Sequence, residues 1–473
     1  MSKGFSALSI YLFLMPQINP VIFREYDIRG IYGKDLFPET AELIGKAFGS
    51  MLLRQNGKNV IVGKDLRKSS DALHSSLIKG ILSTGCNAID VSLAPTPAVY
   101  YAENKMNADA SIVVTASHLP KEFNGFKLSI FHESLSGEKI QELRKTAEAG
   151  NFSSGSGRIS YSNILDAYVS EAASGIKIKK KLKIAVDCSG AMASLVAEKL
   201  FRKLGIEIIP LNCSLDPEFS SHPEPDPTMP ENLESLIETV VSEKCDFGIA
   251  FDGDMDRVGA VDGKGRIIFG DILLAIFSRP LLKENPDSKI VFEVKCSQAL
   301  IEDIERHKGI PVMWKTGHSL IKKKMREENA LLGGEMSGHL FFRDRYFGFD
   351  DALYAAARLA ELVSSSDESL ASMVSEIPVF VSTPELRVDC PENEKFLVVE
   401  EAKKRFSKTH DVIDIDGVRI KFPDKSWALI RASNTGPKLV IRFEARSEKG
   451  LEEIKSLVKK ELLSVNPSLK LPF

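Results

Sequence analysis

Short apolar runs alternate with amphipathic segments through roughly the first 380 residues, and this alternation limits the fold more than any other feature. The apolar runs include NVIVGKD (59–65), NAIDVSL (87–93), ASIVVTA (110–116), LKIAVDC (182–188), IEIIPLN (206–212), CDFGIAFD (245–252), KIVFEVK (289–295) and PVMWK (311–315). Each has the length and apolar character of a buried strand. Segments 69–84, 191–204 and 231–244 have the amphipathic pattern of helices. The pattern predicts α/β layers. It changes over the last 90 or so residues, where DGVRIKF, SWALIRAS and KLVIRFEA precede a helical segment, 447–464. That ending predicts a small α+β domain.

A chain of 473 residues is too long for one core. A Gly/Ser-rich joint, GNFSSGSGRIS, marks a first boundary near residue 160, and the pattern restarts after AVDGKGRIIFG (260–270) and again near FVSTPELRVD (380–389). The expected domains are therefore 1–160, 161–266, 267–380 and 381–473. The first three are expected to be related mixed α/β domains, although no fixed-period repeat is visible.

A formal net charge of −3, with 27% charged residues, gives no electrostatic reason to expect nucleic acid as a partner. An anionic substrate must be met by local clusters of Arg and Lys. No run approaches the ~20 apolar residues of a membrane span. FSALSIYLFLM near the start is followed at once by PQINPVIF, without a small-x-small cleavage site, so residues 1–20 are expected to be a loosely ordered extension and the protein cytoplasmic. The six cysteines are scattered, with no C-x-x-C pair, and read as buried free thiols of a reducing compartment.

Four motifs could carry chemistry, one per expected domain. In ASIVVTASHLPKEFNGFK (110–127), an apolar run stops at Thr115-Ala116-Ser117-His118 and then meets Pro120. Ser117 is placed at the end of a buried strand. Adjacent strand side chains point to opposite faces, so His118 is poorly placed to take its proton, and no G-x-S-x-G elbow is present. In FDGDMDR (251–257), the alternating Asp252, Asp254 and Asp256 can converge from a strand-end loop. Carboxylates so close repel unless a cation joins them, and hard oxygen donors suit Mg²⁺. An EF-hand is excluded by Arg257 at loop position 6 and Gly263 at position 12, whereas a D-x-D nucleophile at Asp252, as in haloacid dehalogenases, stays open. GGEMSGH (333–339) alternates Glu335, Ser337 and His339, a carboxylate and hydroxyl suited to paired sugar hydroxyls, with His318 and Lys315 upstream. RASNTGPK (431–438) offers Arg431, Ser433, Asn434, Thr435 and successive amides as an anion nest.

Taken in order, IFREYDIRG, NGFK, FDGDMDRVG, VMWKTGHSLIKKKM, GEMSGH, RYFGFDDALYAAARL and RASNT…LVIRFEA resemble the α-D-phosphohexomutase family, and within it the bacterial phosphomannomutase/phosphoglucomutase group. The resemblance runs from Val21 to the C-terminus. It implies four domains around a central cleft. It also implies a phosphohexomutase that interconverts hexose 1-phosphate and hexose 6-phosphate, of mannose or glucose, through phosphoserine at Ser117 and a hexose 1,6-bisphosphate that also serves as activator. Mg²⁺ is then bound by Asp252, Asp254, Asp256 and the phosphate on Ser117.

By the same resemblance, Arg29, His118, Lys127, Arg257 and His339 form the acid/base and phosphoryl-contacting set. Tyr26, Lys295 and His318 contact ligand; Glu335, Met336, Ser337, Gly338 and His339 form the sugar loop, with Glu335 and Ser337 on the 3- and 4-hydroxyls. Arg431, Ala432, Ser433, Asn434 and Thr435 hold the phosphate that does not react. Sugar phosphates are the expected partners and a monomer the expected state. The chain departs from the family at Leu119 (T-A-S-H-L-P where relatives have T-G-S-H-N-P), at Met255, in DCSGAMAS and in KDLRKS. These departures bear on rate and substrate range. The alternatives are a phosphoglucosamine mutase, a Mg²⁺-dependent sugar phosphatase and a non-catalytic sugar-phosphate binder.

Overall fold

The computed structural model describes residues 18–433 and 436–473. Residues 1–17 of the expected extension, and Asn434 and Thr435 of the fourth motif, lie outside the described residues. By internal packing the chain divides into two units, Met1–Leu165 and Asp166–Phe473.

The first unit holds one sheet built from β1 (Ile28–Ile31), β2 (Asn59–Lys64), β3 (Asn87–Leu93), β4 (Ala110–Val114), β5 (Phe123–Ile130), β6 (Glu133–Ser134) and β7 (Ile159–Tyr161), in the order β1-β5-β4-β2-β3-β7 with β6 on β5. Strand β2 pairs in parallel with β3 and β4, and β5 runs antiparallel to β4 and β1. The five residues of β4 are all buried, as its unbroken apolar run requires. Helices Pro38–Arg54 and Ser70–Thr84 bury their apolar faces in the core with Val60, Val62, Ile112, Val114 and Phe126. Strand β5 escapes a reading of apolar runs because Asn124 and Gly125 interrupt it. The Asn124 amide is satisfied by Ser69 and Ser70 at 2.8 and 3.0 Å, and a side chain at Gly125 would strike the Ile28 carbonyl of β1 at 1.9 Å.

The second unit contains three sheets. The first joins β8 (Lys183–Asp187), β9 (Glu207–Leu211), β10 (Phe247–Phe251), β11 (Val258–Asp262) and β12 (Ile267–Ile268), in the order β12-β11-β10-β8-β9. The next joins β13 (Lys289–Glu293), β14 (Ile310–Trp314), β15 (Leu332–Gly334) and β16 (Leu340–Phe342), in the order β14-β13-β15-β16. The last holds β17 (Val381–Ser382), β18 (Leu386–Asp389), β19 (Asp411–Ile413), β20 (Val418–Lys421), β21 (Trp427–Ala432) and β22 (Lys438–Ala445), in the order β17-β22-β21-β20-β19 with β18 on β22. Its pairings are antiparallel, and helices Lys395–Phe406 and Glu448–Val465 pack into its core, giving the expected α+β domain.

Segment 191–204 is not the single helix its pattern predicts. A 3₁₀ turn, Met192–Leu195, gives way at Val196 (φ −135°) to a helix, Ala197–Lys203. Similarly, 231–244 begins as a 3₁₀ turn, Pro230–Leu233, and continues as helix Glu234–Ser242.

The three α/β sheets share one topology. Sets β2–β5, β8–β11 and β13–β16 each place the first strand beside the second and third in parallel, with the fourth antiparallel at the end. The first three motifs all lie in the third-to-fourth connection, where a parallel strand ends and the chain reverses. The fourth motif occupies the β21–β22 connection, also an antiparallel reversal. The repeat invisible in sequence is thus explicit in strand order.

Candidate active site

Ser117 sits two residues beyond Thr115, whose amide still bonds across to β5 at Gly125. Its backbone is left-handed (φ 52°), uncommon for a residue with a side chain, and Ser117 is 2% exposed. Its amide donates to Thr115 Oγ1 at 2.9 Å. The strand stops at Val114, so strict alternation of side chains has lapsed, and Ser117 Oγ lies 3.1 Å from His118 Nδ1. The expectation that His118 faces away from Ser117 is therefore corrected. Lys127, on β5 opposite Val113, is buried, and Arg29, on β1 opposite Gly125, pairs with Asp27 at 2.6 Å. Tyr26 lies half-buried just before β1.

Arg67, between β2 and helix Ser70–Thr84, holds this loop and is a residue to which the sequence gives no role. Its guanidinium, fully buried, donates to the carbonyls of Ser117 (2.8 Å), Leu119 (2.6 Å) and Pro120 (2.6 Å) and to Asp65 (3.0 Å). The grip is on main-chain oxygens, so Leu119 in place of a polar residue leaves it intact.

Asp252, Asp254 and Asp256 follow β10, whose residues are all buried, and each offers an oxygen within 4.8 Å of the others. All three are at most 1% exposed. The loop is closed by its own backbone: Asp256 and Arg257 amides donate to Asp252 Oδ1 at 3.0 and 3.1 Å. Met255 is buried with φ 65°. Buried carboxylates in mutual contact, with hard oxygen donors, fit a Mg²⁺-sized cation.

Arg257 leaves this loop toward the third motif. Its Nε donates to His339 Nε2 at 3.0 Å, and Nη1 lies 3.4 Å from Asp226. Burial disfavours its charge, but Asp226, Asp252, Asp256 and Glu335 outweigh it and raise its pKa. With Nε2 accepting, the His339 proton sits on Nδ1, 3.2 Å from Asp350 and 3.7 Å from Asp256. Asp350 also meets Lys322 (2.8 Å) and His318 Nδ1 (3.3 Å), and the two imidazoles stack. Burial opposes the Asp350 charge, yet Lys322 and His318 hold its carboxyl well below the usual range. Burial pulls His318 down to about 4, so it is neutral near pH 7. Asp350 is a second residue to which the sequence gives no role, although RYFGFDDALYAAARL around it is part of the family resemblance.

Glu335 is buried, and burial raises its pKa; it accepts from the Gly317 amide (3.2 Å) and the Ser337 hydroxyl (3.3 Å). Gly338 is required at φ 95°, since a Cβ there would lie 2.3 Å from the Val258 carbonyl. The Met336 amide donates to Glu293 at 3.3 Å, and Arg442 Nη1 reaches Met336 Sδ at 2.6 Å. Lys295 pairs with Glu385 at 3.0 Å; burial lowers its pKa, but Glu293 and Glu385 win and raise it.

In the fourth motif, Arg431 and Ala432 end β21, and Ser433 follows; all three are buried. Arg431 pairs with Asp416 at 3.0 Å, and Asp416 also accepts from the Thr316 amide at 3.1 Å, joining this loop to KTGH. Lys395, unremarked in sequence, donates to the carbonyls of Ser433 (2.7 Å) and Gly436 (3.1 Å).

Four family models match the chain in order. They are described as phosphoglucomutase/phosphomannomutase α/β/α domain I (residues 20–153), domain II (166–265), domain III (269–380) and C-terminal domain (385–461). A phosphomannomutase/phosphoglucomutase of Pseudomonas putida is 45% identical, covering 97% of this chain and 99% of its own. A phosphoglucomutase of Neisseria gonorrhoeae is 39% identical, with 97% and 100% covered. The crystal structure of a phosphoglucomutase/phosphomannomutase family protein from Burkholderia thailandensis superposes with a TM-score of 0.91 at 38% identity, covering 97% of this chain and 100% of that one. Three motifs at equivalent chain reversals and a fourth in the β21–β22 connection, four domain matches and relatives of full length together mean that the chain belongs to the phosphoglucomutase/phosphomannomutase group of the α-D-phosphohexomutase family.

Proposed function

We propose that this chain moves phosphate between O1 and O6 of mannose and glucose through phosphoserine at Ser117 and a hexose 1,6-bisphosphate intermediate. The chain is an isomerase of hexose phosphates by family; the route and the residue roles are the proposal. Starting from hexose 1-phosphate, the bond from phosphorus to Ser117 Oγ breaks and one to the sugar O6 forms, while the O6 proton passes to a base. The bisphosphate turns around, and its O1 phosphate returns to Ser117 as the sugar O1 takes up a proton. The serine ends phosphorylated as it began, and lost bisphosphate must be resupplied as activator.

His118, 3.1 Å from Oγ, exchanges the serine proton. Arg29, Lys127 and Arg257 bring positive charge to the phosphoryl group, with His339 as a proton-transfer partner. Glu335 and Ser337 hold the 3- and 4-hydroxyls in the loop of Met336, Gly338 and His339, a handle common to both orientations and indifferent to the C2 epimer. Arg431, Ala432 and Ser433, with Asn434 and Thr435, hold the distal phosphate, and Tyr26, Lys295 and His318 complete the contacts. Asp252, Asp254 and Asp256, with the phosphate of Ser117, would hold Mg²⁺, which supplies charge neutralisation to the phosphoryl oxygens.

The domains are proposed at 1–160, 161–266, 267–380 and 381–473, each contributing one motif. Among the described residues no helix is long and apolar enough to cross a membrane. A cytoplasmic monomer acting on sugar phosphates, without nucleic acid, is the accompanying proposal. The observation that carries the reading is the set of four differently equipped loops, three of them at equivalent chain reversals. An Asp252 nucleophile is disfavoured because its Oδ1 already accepts two amides.

The test is phosphopeptide mass spectrometry after incubation with glucose 1,6-bisphosphate and Mg²⁺. Phosphate on the Ser117 peptide is expected. An acid-stable protein with no phosphoserine, or an acyl phosphate at Asp252, would overturn the route.

A further inference from the structure

Strands β8 and β9 lie side by side in parallel, with Asp187 opposite Leu211. Each runs into a turn that carries a cysteine. Cys188 follows β8 and precedes Ser189 (φ 56°); Cys213 follows Asn212 (φ 49°) just after β9. These two left-handed residues fold the turns together, and Cys213 Sγ lies 2.8 Å from Cys188 Sγ, with both thiols free. Cys188 is wholly buried and Cys213 half-buried, so a small oxidant has one sulfur to approach.

The surroundings tie this pair to the carboxylate loop. Ser189 Oγ donates to the Phe251 carbonyl at 2.8 Å, one residue before Asp252, and the Met192 amide donates to the Gly253 carbonyl at 3.3 Å. Asp187 anchors both turns, accepting from the Ser189 amide (2.8 Å) and the Asn212 amide group (3.1 Å).

We propose that Cys188 and Cys213 are a peroxide-sensitive dithiol that closes to an intrachain disulfide beside the carboxylate loop. The Cys213 sulfur attacks one oxygen of hydrogen peroxide; the O–O bond breaks, and hydroxide leaves as water with the thiol proton, giving a sulfenic acid. The Cys188 sulfur then attacks the Cys213 sulfur. An S–S bond forms, the S–O bond breaks, and a second water leaves with the Cys188 proton. Two electrons pass from the thiols to the peroxide. The hydrogen bond shared with Cys213, and then burial, hold the Cys188 thiol well above the usual range, and with its partial exposure this makes Cys213 the first to react.

The experiment treats the full-length folded protein with hydrogen peroxide, alkylates remaining thiols and measures intact mass and tryptic peptides. The expected results are a loss of about 2 Da before alkylation, two fewer alkylated cysteines, a Cys188–Cys213 peptide and reversal by dithiothreitol. In C188S the reaction stops at a sulfenic acid on Cys213 that dimedone captures. Full alkylation of both cysteines after peroxide, a disulfide using any other cysteine, or over-oxidation of Cys213 with Cys188 still free would overturn the proposal. The wild-type chain alone decides between these, so a variant that fails to fold does not blunt the test.

Discussion

The serine loop after β4 and the carboxylate loop after β10 occupy the same point in the same four-strand topology, yet they are held in opposite ways. The carboxylate loop closes on itself: Asp252 accepts from amides four and five residues along. The serine loop is held from outside, by an Arg67 guanidinium fifty residues away that gathers three carbonyls. The neighbouring turn bonds the carboxylate loop at the Phe251 and Gly253 carbonyls, but the Asp252 oxygen is set by the loop's own amides. An externally held loop lets one distant residue set the pose of a strained nucleophile. On the proposed route, a serine that is phosphorylated and dephosphorylated in each cycle gains from a rigid backbone behind a single mobile bond.

This contrast can be broken most severely at the nucleophile. Ser117→Ala is expected to cut turnover by at least about a thousandfold, with a Mg²⁺ affinity from isothermal titration equal to that of the unphosphorylated wild type. Asp254→Asn should act conversely, weakening Mg²⁺ binding by about ten- to a hundredfold while the serine loop stays intact to proteolysis. Arg67→Lys tests the external hold. An ammonium cannot serve three carbonyls and Asp65 at once, so Ser117 phosphorylation by glucose 1,6-bisphosphate should slow by about tenfold or more, again with Mg²⁺ affinity unchanged. Equal loss of Mg²⁺ binding in R67K would erase the distinction between the loops.

Smaller effects sharpen the account of the histidines. Asp350→Asn removes the charge shared by His318, His339 and Lys322. We expect kcat to fall by about tenfold with little change in KM. The smallest effect is on stability. His318 has its folded-state pKa lowered to about 4, so its contribution is fully present above the unfolded value near 6.5 and is lost as pH falls toward 4. Unfolding free energies from urea titrations should therefore fall more between pH 7 and pH 4 for the wild type than for His318→Gln, by up to about 3 kcal/mol.

How legible all this was in the sequence follows the same division. β4, β8, β10 and β13 announce themselves as unbroken apolar runs, and the carboxylate loop is readable because its chemistry is local. Strand β5 was not, since Asn124 and Gly125 serve neighbours distant in sequence. Arg67 and Asp350 were invisible for that reason: a side chain that bonds carbonyls fifty residues away, or histidines from two other elements, leaves no spacing signal. His118 was misjudged because strand alternation was carried two residues past the point where β4 ends. The four motifs stand out by their own chemistry, but the roles of their residues come from the family resemblance.

The most direct test of the central claim is phosphorus NMR of the wild type and Ser117→Ala with mannose 1-phosphate, Mg²⁺ and a trace of glucose 1,6-bisphosphate. The account predicts that the wild type forms mannose 6-phosphate without free phosphate and that the variant forms none. Product at the wild-type rate from the variant, or free phosphate in place of the 6-phosphate, would contradict it.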